Sequence, residues 1–267
     1  MFIAGRAQNT CEATEQAEEE QSFSSILRCK TEKRGNRIVA LIQVENVRKK
    51  YQLGQTEVEA LRGVNLSIEK GEFLSIWGPS GSGKSSLLNI IGMIDSPTQG
   101  VVRLDGTSIN GLSDKEITKL RNQKIGFVFQ SFNLVPVLSA LENIMLPLQI
   151  RGEALKVAAE KAMHRLEEVG LSNLAKSRPD HMSGGQRQRI AIARALVTDP
   201  SIVLADEPTA NLDSETSQNI IELMRELNER DQVTFIFSTH DQQLLDSVKR
   251  RIRIKDGQIT AEQGEAE

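Results

Sequence analysis

Cysteine, long apolar runs and surplus basic charge are scarce in this sequence, and each shortage removes a class of protein. The two cysteines, Cys11 and Cys29, both precede residue 30, and none follows from Lys30 onward. A disulfide-built scaffold is thereby excluded over most of the chain, and the usage suits a reducing cytosol. The three histidines, His164, His181 and His240, form no metal-ligand spacing with cysteine, so no structural zinc site is expected. No apolar stretch approaches the ~20 residues that a bilayer-spanning helix needs, and mean hydropathy is −0.32. The chain is therefore expected to be soluble or peripheral, with no transmembrane segment or covalent lipid of its own. The first residues lack an apolar core of signal-peptide type, which argues against export. A formal net charge of −3 argues against nucleic acid as the main partner, because phosphate binding wants a basic face.

What remains is ample for folding. With 267 residues, 39% of them hydrophobic, the chain can build one large α/β domain or a domain with a subdomain. Residues 1–37 differ from the rest: Glu12, Glu15 and Glu18-Glu19-Glu20 sit among Gln, Ser, Thr and Ala, and read as a disordered acidic tail. The folded domain is expected over 38–260, with a short C-terminal tail at 261–267. Strands are expected at Ile38–Val47, Val58–Ile68, Phe73–Trp77, Gly100–Leu104, Ile125–Phe129, Ser201–Ala205 and Val233–Ser238. A hairpin of Arg251–Lys255 with Gln258–Ile259 closes the pattern across Asp256-Gly257. Helices are expected at Ser86–Ile91, Asp114–Arg121, Ala140–Ile150, Leu155–Val169, Ser183–Val197, Ser214–Asn228 and Asp241–Val248. In the fourth of these, Ala158, Ala162, Leu166 and Val169 line one face and Gly170 stands where a C-terminal cap belongs. A helical subdomain at about 131–180 thus interrupts a strand–helix alternation, which implies a mainly parallel sheet with right-handed crossovers.

The densest chemical signal is Gly78-Pro79-Ser80-Gly81-Ser82-Gly83-Lys84-Ser85-Ser86, which fits the phosphate-loop pattern G-x-x-x-x-G-K-[ST]. Its glycines let successive N–H groups curl around an anion. Lys84 would reach the outer phosphates, and the Ser85 hydroxyl would ligate Mg²⁺. The apolar run before it and the helix after it place the positive helix end at the phosphates. An accidental Gly/Ser turn would match in roughly one chain of this length in a hundred.

Further groups stand at strand ends. Ile202–Ala205 deliver Asp206, which can hold Mg²⁺ through water, and Glu207, which can polarise an attacking water. Read alone, an acidic turn after a core strand explains this pair equally well. Gln130 and His240 follow two more strands, and a hydrogen-bonded structural histidine explains His240 better when it is taken singly. Ends of parallel strands converge on one crevice, however, so all four should face one nucleotide. Ser183-Gly184-Gly185-Gln186 opens a helix, with Ser183 well placed as N-cap. Two glycines at a helix start also make a second anion site, which is odd unless it serves a different nucleotide.

Taken together, these residues resemble the ATP-binding cassette of ABC transporters. Gly78–Ser85 is similar to the Walker A loop, Gln130 to the Q-loop and Met182–Gln186 to the signature loop. Ile202–Asp206 with Glu207 is similar to Walker B and its catalytic glutamate, Ala210–Asp213 to the D-loop, and His240 to the H-loop. Tyr51 stands where the family has an aromatic that stacks on adenine. The resemblance runs over about 42–260, and within the family it is nearest the lipoprotein-release and macrolide-export subgroup. It departs at Met182, where Leu is usual, at Ser86, where Thr is usual, and at Ala210, where Gly is common.

The resemblance implies a P-loop α/β cassette with an N-terminal antiparallel β subdomain and an inserted helical subdomain. It implies an ATPase acting with Mg²⁺ held by Ser85, Gln130 and Asp206, with Glu207 activating water and His240 holding the γ-phosphate. It also implies a head-to-tail homodimer in which each ATP lies between one copy's phosphate loop and the other's Ser183–Gln186, with Asp213 nearby. Partners would be integral membrane permease subunits on the inner face of the cytoplasmic membrane. A cell-division or mechanotransmission complex is the alternative use. A soluble DNA-repair ATPase fits poorly, because no sustained heptads separate Lys84 from Asp206. An unrelated phosphate-loop kinase or GTPase leaves Ser183–Gln186 unexplained. Two segments stay open between readings. Phe132, Leu134, Val135, Pro136 and Val137 are either core packing or a groove for a membrane subunit's helix. Lys249–Arg253 is either a solvated strand or a contact for anionic lipid.

Overall fold

The computed structural model of the protein describes residues 40–264. The expected acidic tail and both cysteines lie outside the described residues. The ten strands are β1 (Ile42–Leu53), β2 (Thr56–Ile68), β3 (Phe73–Trp77), β4 (Gln99–Leu104), β5 (Thr107–Ser108), β6 (Ile125–Phe129), β7 (Ile202–Asp206), β8 (Thr234–Thr239), β9 (Arg250–Lys255) and β10 (Gln258–Gly264). Among the described residues the seven α-helices are α1 (Lys84–Ile91), α2 (Asp114–Lys124), α3 (Ala140–Ile150), α4 (Leu155–Glu168), α5 (Gly184–Leu196), α6 (Ser214–Asp231) and α7 (Gln242–Ser247).

The strands form two sheets. One, in the order β2-β1-β4-β5, is antiparallel throughout. The other runs β10-β9-β3-β8-β7-β6; its neighbours are parallel except for the β9–β10 hairpin. Its central strands read as unbroken apolar runs because both faces are covered, and every residue of β8 is buried. Alternate side chains then feed opposite cores. Phe73, Val203, Ala205, Phe235 and Phe237 join the core shared with α3, α4, α5 and α6. Leu74, Ile76, Ile202, Leu204 and Ile236 join the core shared with α1 and the antiparallel sheet. On the first side Phe73 meets Phe237 edge-on at 4.7 Å.

The expected elements recur with shifted ends. β1 begins at Ile42 and continues through Tyr51, because bulges after Val44 and Lys49 keep it paired with β2. α2 runs on to Lys124, and α6 to Asp231. The tail expected from 261 is corrected: Ala261–Gly264 continue β10, paired with Arg253 to Arg250. Arg250 explains the extension, since its guanidinium holds Glu262 of β10 at 2.8 Å and Glu72 at 2.7 Å. The same pairing favours the solvated-strand reading of 249–253, with Ile252 buried and Arg253 lying over the Trp77 ring.

Between β6 and α5 the chain leaves the sheet through α3, α4 and two short 3-10 turns, Ser172–Leu174 and Pro179–His181. Ala158, Ala162, Leu166 and Val169 are buried along one face, and Gly170 follows α4 at φ 72°. Arg165 ties this insertion to the rest of the chain. Only 12% exposed, its side chain pairs with Glu168 at 2.7 Å, Asp199 at 2.7 Å and Asp231 at 3.0 Å. Arg230 adds bonds to Glu168 and Asp231. Burial alone would lower the Arg165 pKa, but the three carboxylates outweigh it and hold the guanidinium charged.

Removing this hub strands its carboxylates, so Arg165→Ala is expected to lower stability by about 2 kcal/mol, measured by urea unfolding at neutral pH. Arg230 first, and Arg165 after it, hold the Asp231 carboxyl below its usual range against the opposing effect of burial. A depressed carboxylate stabilises above the unfolded-state value and ceases to do so as pH falls through the folded one. The gap between wild type and variant should therefore narrow below about pH 4.

Candidate active site

Register brings the expected groups to one edge. Trp77 pairs with Thr239, Ser238 with Asp206, and Asp206 with Phe129. The residues that follow these strand ends are therefore Gly78, His240, Glu207 and Gln130, on four laterally adjacent strands.

The phosphate loop, Gly78 to Ser86, is shaped by its glycines. Gly78, Gly81 and Gly83 all have positive φ. A Cβ at Gly78 would lie 2.0 Å from the Ile254 carbonyl oxygen, and one at Gly83 2.6 Å from that of Ala60. The loop thus rests directly on the backbone of β9 and β2. Gly257 N–H donates to the Ser82 carbonyl at 2.9 Å, fastening it to the β9–β10 turn. The Lys84 ammonium donates to the carbonyls of Gly78 at 2.8 Å and Pro79 at 3.1 Å, across the mouth of the loop. Pro79, Ser80 and Ser85 are exposed, Ser86 is half-buried, and Ser82 is buried.

Glu207 and His240 meet. Glu207 takes φ 47°, a left-handed conformation that is rare for a residue with a side chain. Strain there costs of order 1 kcal/mol, and the Glu207 N–H donates to the Ser238 carbonyl at 2.8 Å in that conformation. The turn takes Glu207 off the β7 line. Its Oε1 lies 2.6 Å from His240 Nδ1, and its Oε2 accepts a long bond of 3.4 Å from the Thr239 hydroxyl. An ionised carboxylate only accepts, so Nδ1 carries the proton in this pair. Glu207 is mostly sheltered, at 16% side-chain exposure, whereas His240 is 74% exposed. One carboxylate oxygen is thus committed and the other is held weakly.

Gln130 is exposed and begins a loop held from two directions. Asn211 Nδ2 donates to its carbonyl at 2.9 Å. Phe132 and Asn133 both have positive φ, and Arg194 of α5 donates to both of their carbonyls. The segment left open between two readings divides. Phe132 is buried, with the Arg187 guanidinium over its ring, and Leu134 packs on the core, while Val137 is 71% exposed.

Ser183 caps α5 and forms a capping box with Gln186: the Gln186 N–H donates to the Ser183 hydroxyl at 3.2 Å, and the Ser183 N–H donates to Gln186 Oε1 at 2.9 Å. A Cβ on Gly184 would meet Leu212 at 3.1 Å and one on Gly185 Thr216 at 2.6 Å, so both glycines face the segment that leads into α6. Asp213 caps that helix through the Thr216 N–H, which lowers its pKa. Among the described residues, no hydrogen bond joins Ser183–Gln186 or Asp213 to the phosphate loop. Tyr51 lies on the other flank, its hydroxyl on Asp95 at 2.9 Å and 3.5 Å from the Ser86 hydroxyl.

Sequence reasoning passed over Lys49, Asp95, Arg187, Arg194 and Thr239. All are ordinary polar residues whose partners lie elsewhere in the chain, so no local spacing marks them.

The family described as "ABC transporter" matches residues 61–210. An uncharacterized ABC transporter ATP-binding protein of Methanocaldococcus jannaschii, MJ0796, is 48% identical over 227 residues, covering 84% of this chain and 97% of that protein. The lipoprotein-releasing system ATP-binding protein LolD of Legionella pneumophila is 44% identical over 221 residues, covering 83% of this chain and 97% of the relative. The macrolide export ATP-binding/permease protein MacB of Syntrophobacter fumaroxidans is 45% identical over 226 residues, 84% of this chain but 32% of that longer protein. The solved dimer of the MJ0796 cassette in a post-hydrolysis state with ADP and Pi has a TM-score of 0.78 at 46% identity, covering 85% of this chain and 99% of that one. The chain belongs to the ABC transporter family and is an ATP-binding cassette of the P-loop ATPase fold.

The contact at Gly78 gives a stability test that separates loop sterics from loop conformation. Gly78→Ala must displace the Ile254 carbonyl and is expected to cost about 2–3 kcal/mol. Gly81→Ala meets nothing within 4 Å, so only its left-handed φ is strained, at about 1 kcal/mol. Equilibrium urea unfolding of the two variants checks the order.

Proposed function

We propose that this cassette binds ATP with Mg²⁺ and closes on a second copy of itself around the nucleotide. Hydrolysis then reopens the pair, and this drives separate membrane-spanning subunits from the inner face of the cytoplasmic membrane. Among the described residues no helix is long and apolar enough to cross a membrane. The relatives' names, lipoprotein-releasing and macrolide export, support an exporter or lipoprotein-release type of system.

The observation that carries the reading is the Glu207–His240 pair, which follows β7 and β8, the two strands next to the one that enters the phosphate loop. Triphosphate oxygens would replace the Gly78 and Pro79 carbonyls on Lys84 and fill the N–H groups of the loop. Donors suited to a hard cation stand nearby: the Ser85 hydroxyl, the Gln130 amide oxygen and the Asp206 carboxylate. When bound, Mg²⁺ would neutralise charge on the phosphates.

Glu207 accepts a proton from water on its weakly held Oε2 as that water attacks the γ-phosphorus. The bond from that phosphorus to the β–γ bridging oxygen breaks, and ADP leaves. His240, bonded to Oε1 through Nδ1–H, keeps the carboxylate aimed, and as an imidazolium it would also donate Nε2–H to the γ-phosphate. Tyr51 stacks on adenine. Ser183–Gln186, with Asp213 behind them, would face the γ-phosphate of the partner copy's ATP. Exposed Val137, in the loop that begins at Gln130, suits a contact that reports nucleotide state to a membrane subunit.

Two substitutions test the assignment. Glu207→Gln is expected to bind ATP and sediment as a dimer while turning over at least about a hundredfold more slowly; ordinary turnover, or monomers at saturating ATP and Mg²⁺, would remove the reading. Lys84→Ala is expected to weaken ATP binding by about tenfold or more, read by equilibrium titration.

A further inference from the structure

The Tyr51–Asp95 hydrogen bond belongs to a wider polar cluster. It lies where the antiparallel sheet meets the end of α1. Lys49 and Tyr51 sit two residues apart on β1 and so share a face. Asp95 lies just past α1, its N–H bonded to the Asn89 carbonyl in the last turn of that helix. The Asp95 carboxylate accepts from the Tyr51 hydroxyl on Oδ2 at 2.9 Å and from the Lys49 ammonium on Oδ1 at 2.6 Å, and Oδ1 also accepts the Ser96 N–H at 2.7 Å. Lys49 gives a second bond to the Ser96 carbonyl at 2.8 Å, and its nitrogen lies 4.9 Å from the Tyr51 ring centre.

We propose that Asp95 is a positioning residue for the nucleotide base: it fixes the Tyr51 ring through the phenol hydroxyl and holds the Lys49 ammonium against one ring face, leaving the other face as the platform for adenine. The proposal rests on the reading of Tyr51 as the adenine-stacking residue. Three features support it. A phenol ring free to turn about its side-chain bonds would lose that freedom on stacking, and a ring already held does not. A cation on one face leaves only the opposite face for a flat base. Asp95 follows the helix that opens at the phosphate loop, so α1 carries both the phosphate seat and the anchor of the base platform, and the distance between them is set by a rigid element. The charge state agrees. Burial pushes the Asp95 carboxyl up, but bonds from Lys49, Tyr51 and Ser96 outweigh it and keep the group ionised. The Lys49 side chain is 12% exposed and two of its three ammonium donors are engaged inside the cluster, which makes it a support for the ring and not a phosphate ligand.

Tyr51 is the chain's sole tyrosine, so vibrational signals of the phenol belong to it alone. The full-length protein is compared with Asp95→Asn, Tyr51→Phe, the double variant and Tyr51→Ala. Four readouts are taken: kcat and KM for ATP, inhibition by inorganic tripolyphosphate, and the tyrosine doublet in ultraviolet resonance Raman spectra. Asp95→Asn and Tyr51→Phe are each expected to raise KM by about tenfold while kcat at saturation stays within about twofold. The double variant should be no worse than either single one, and tripolyphosphate, which has no base, should inhibit all forms alike. In Asp95→Asn the doublet should move away from the pattern of a phenol donating to a carboxylate. An unchanged KM in Tyr51→Phe, with Tyr51→Ala impaired, overturns the proposal and leaves the stacking reading intact. So does an unchanged doublet in Asp95→Asn. Equal loss of ATP and tripolyphosphate affinity also overturns it, by marking a general structural effect. If Tyr51→Ala binds ATP as well as wild type, the stacking reading itself fails. Tyr51→Phe removes only a hydroxyl, so the test stands even if Asp95→Asn folds poorly.

Discussion

Lateral pairing of β3, β8, β7 and β6 is the constraint from which the site follows. Trp77 lies opposite Thr239, Ser238 opposite Asp206, and Asp206 opposite Phe129. Each strand is apolar enough to be buried on both faces, so its register is fixed by two cores and not by one. A slip of one residue would exchange Phe235 and Phe237 with Ile236 between those cores. It would also move His240 away from Glu207. Chemistry at the edge is therefore held by packing inside the sheet, and the residues that do the work need little support of their own beyond the last hydrogen bond.

The elements around that edge fall into two groups with different mechanical ties. The phosphate loop is seated on backbone, with the Ile254 and Ala60 carbonyls too near Gly78 and Gly83 to admit a side chain. It moves with the sheet. The loop after Gln130 instead hangs on side chains: Arg194 of α5 holds its two left-handed residues, and Asn211 holds the Gln130 carbonyl. Side-chain ties of this kind can break and re-form without disturbing a core. They connect the loop, α5 and the segment before α6, which are the parts that a ligand-driven two-state change would need to move together. Arg165 plays the corresponding part further out, binding α4 to Asp199 and Asp231 through charge-assisted hydrogen bonds.

Legibility in the sequence tracks the range of the interaction. β3, β6, β7 and β8 were readable because a buried parallel strand is an apolar run ended by an unlike residue, and the unlike residues here are Gly78, Gln130, Asp206 and His240. α4 was readable from four apolar positions on one face. Other elements lost or gained residues at their ends because partners far along the chain decide them: Glu262 and Arg250 extend β10, and bulges extend β1. The positive φ of Glu207 left no mark in the sequence, since nothing but the Ser238 carbonyl on another strand requires it. Asp95 was invisible for the same reason. Its partners lie 44 and 46 residues earlier, and neither the spacing nor the residue type singles it out.

That difference bears on how substitution should act in this cassette. A change at a residue whose role is local, such as the Ser183 cap, alters one helix end. A change at a residue that closes a long-range pairing alters the relation between two elements. Asp95 relates β1 to α1, Arg194 relates α5 to the Gln130 loop, and His240 relates the β8 end to Glu207. Asp95 and Arg194 are not themselves the groups that would meet the nucleotide; each holds a group or loop that would. The geometry presented to ATP is thus set one contact behind the surface that ATP would see. A substitution there can leave every nucleotide-facing residue in place and still misalign it, which is why binding and turnover should respond separately to the two kinds of change.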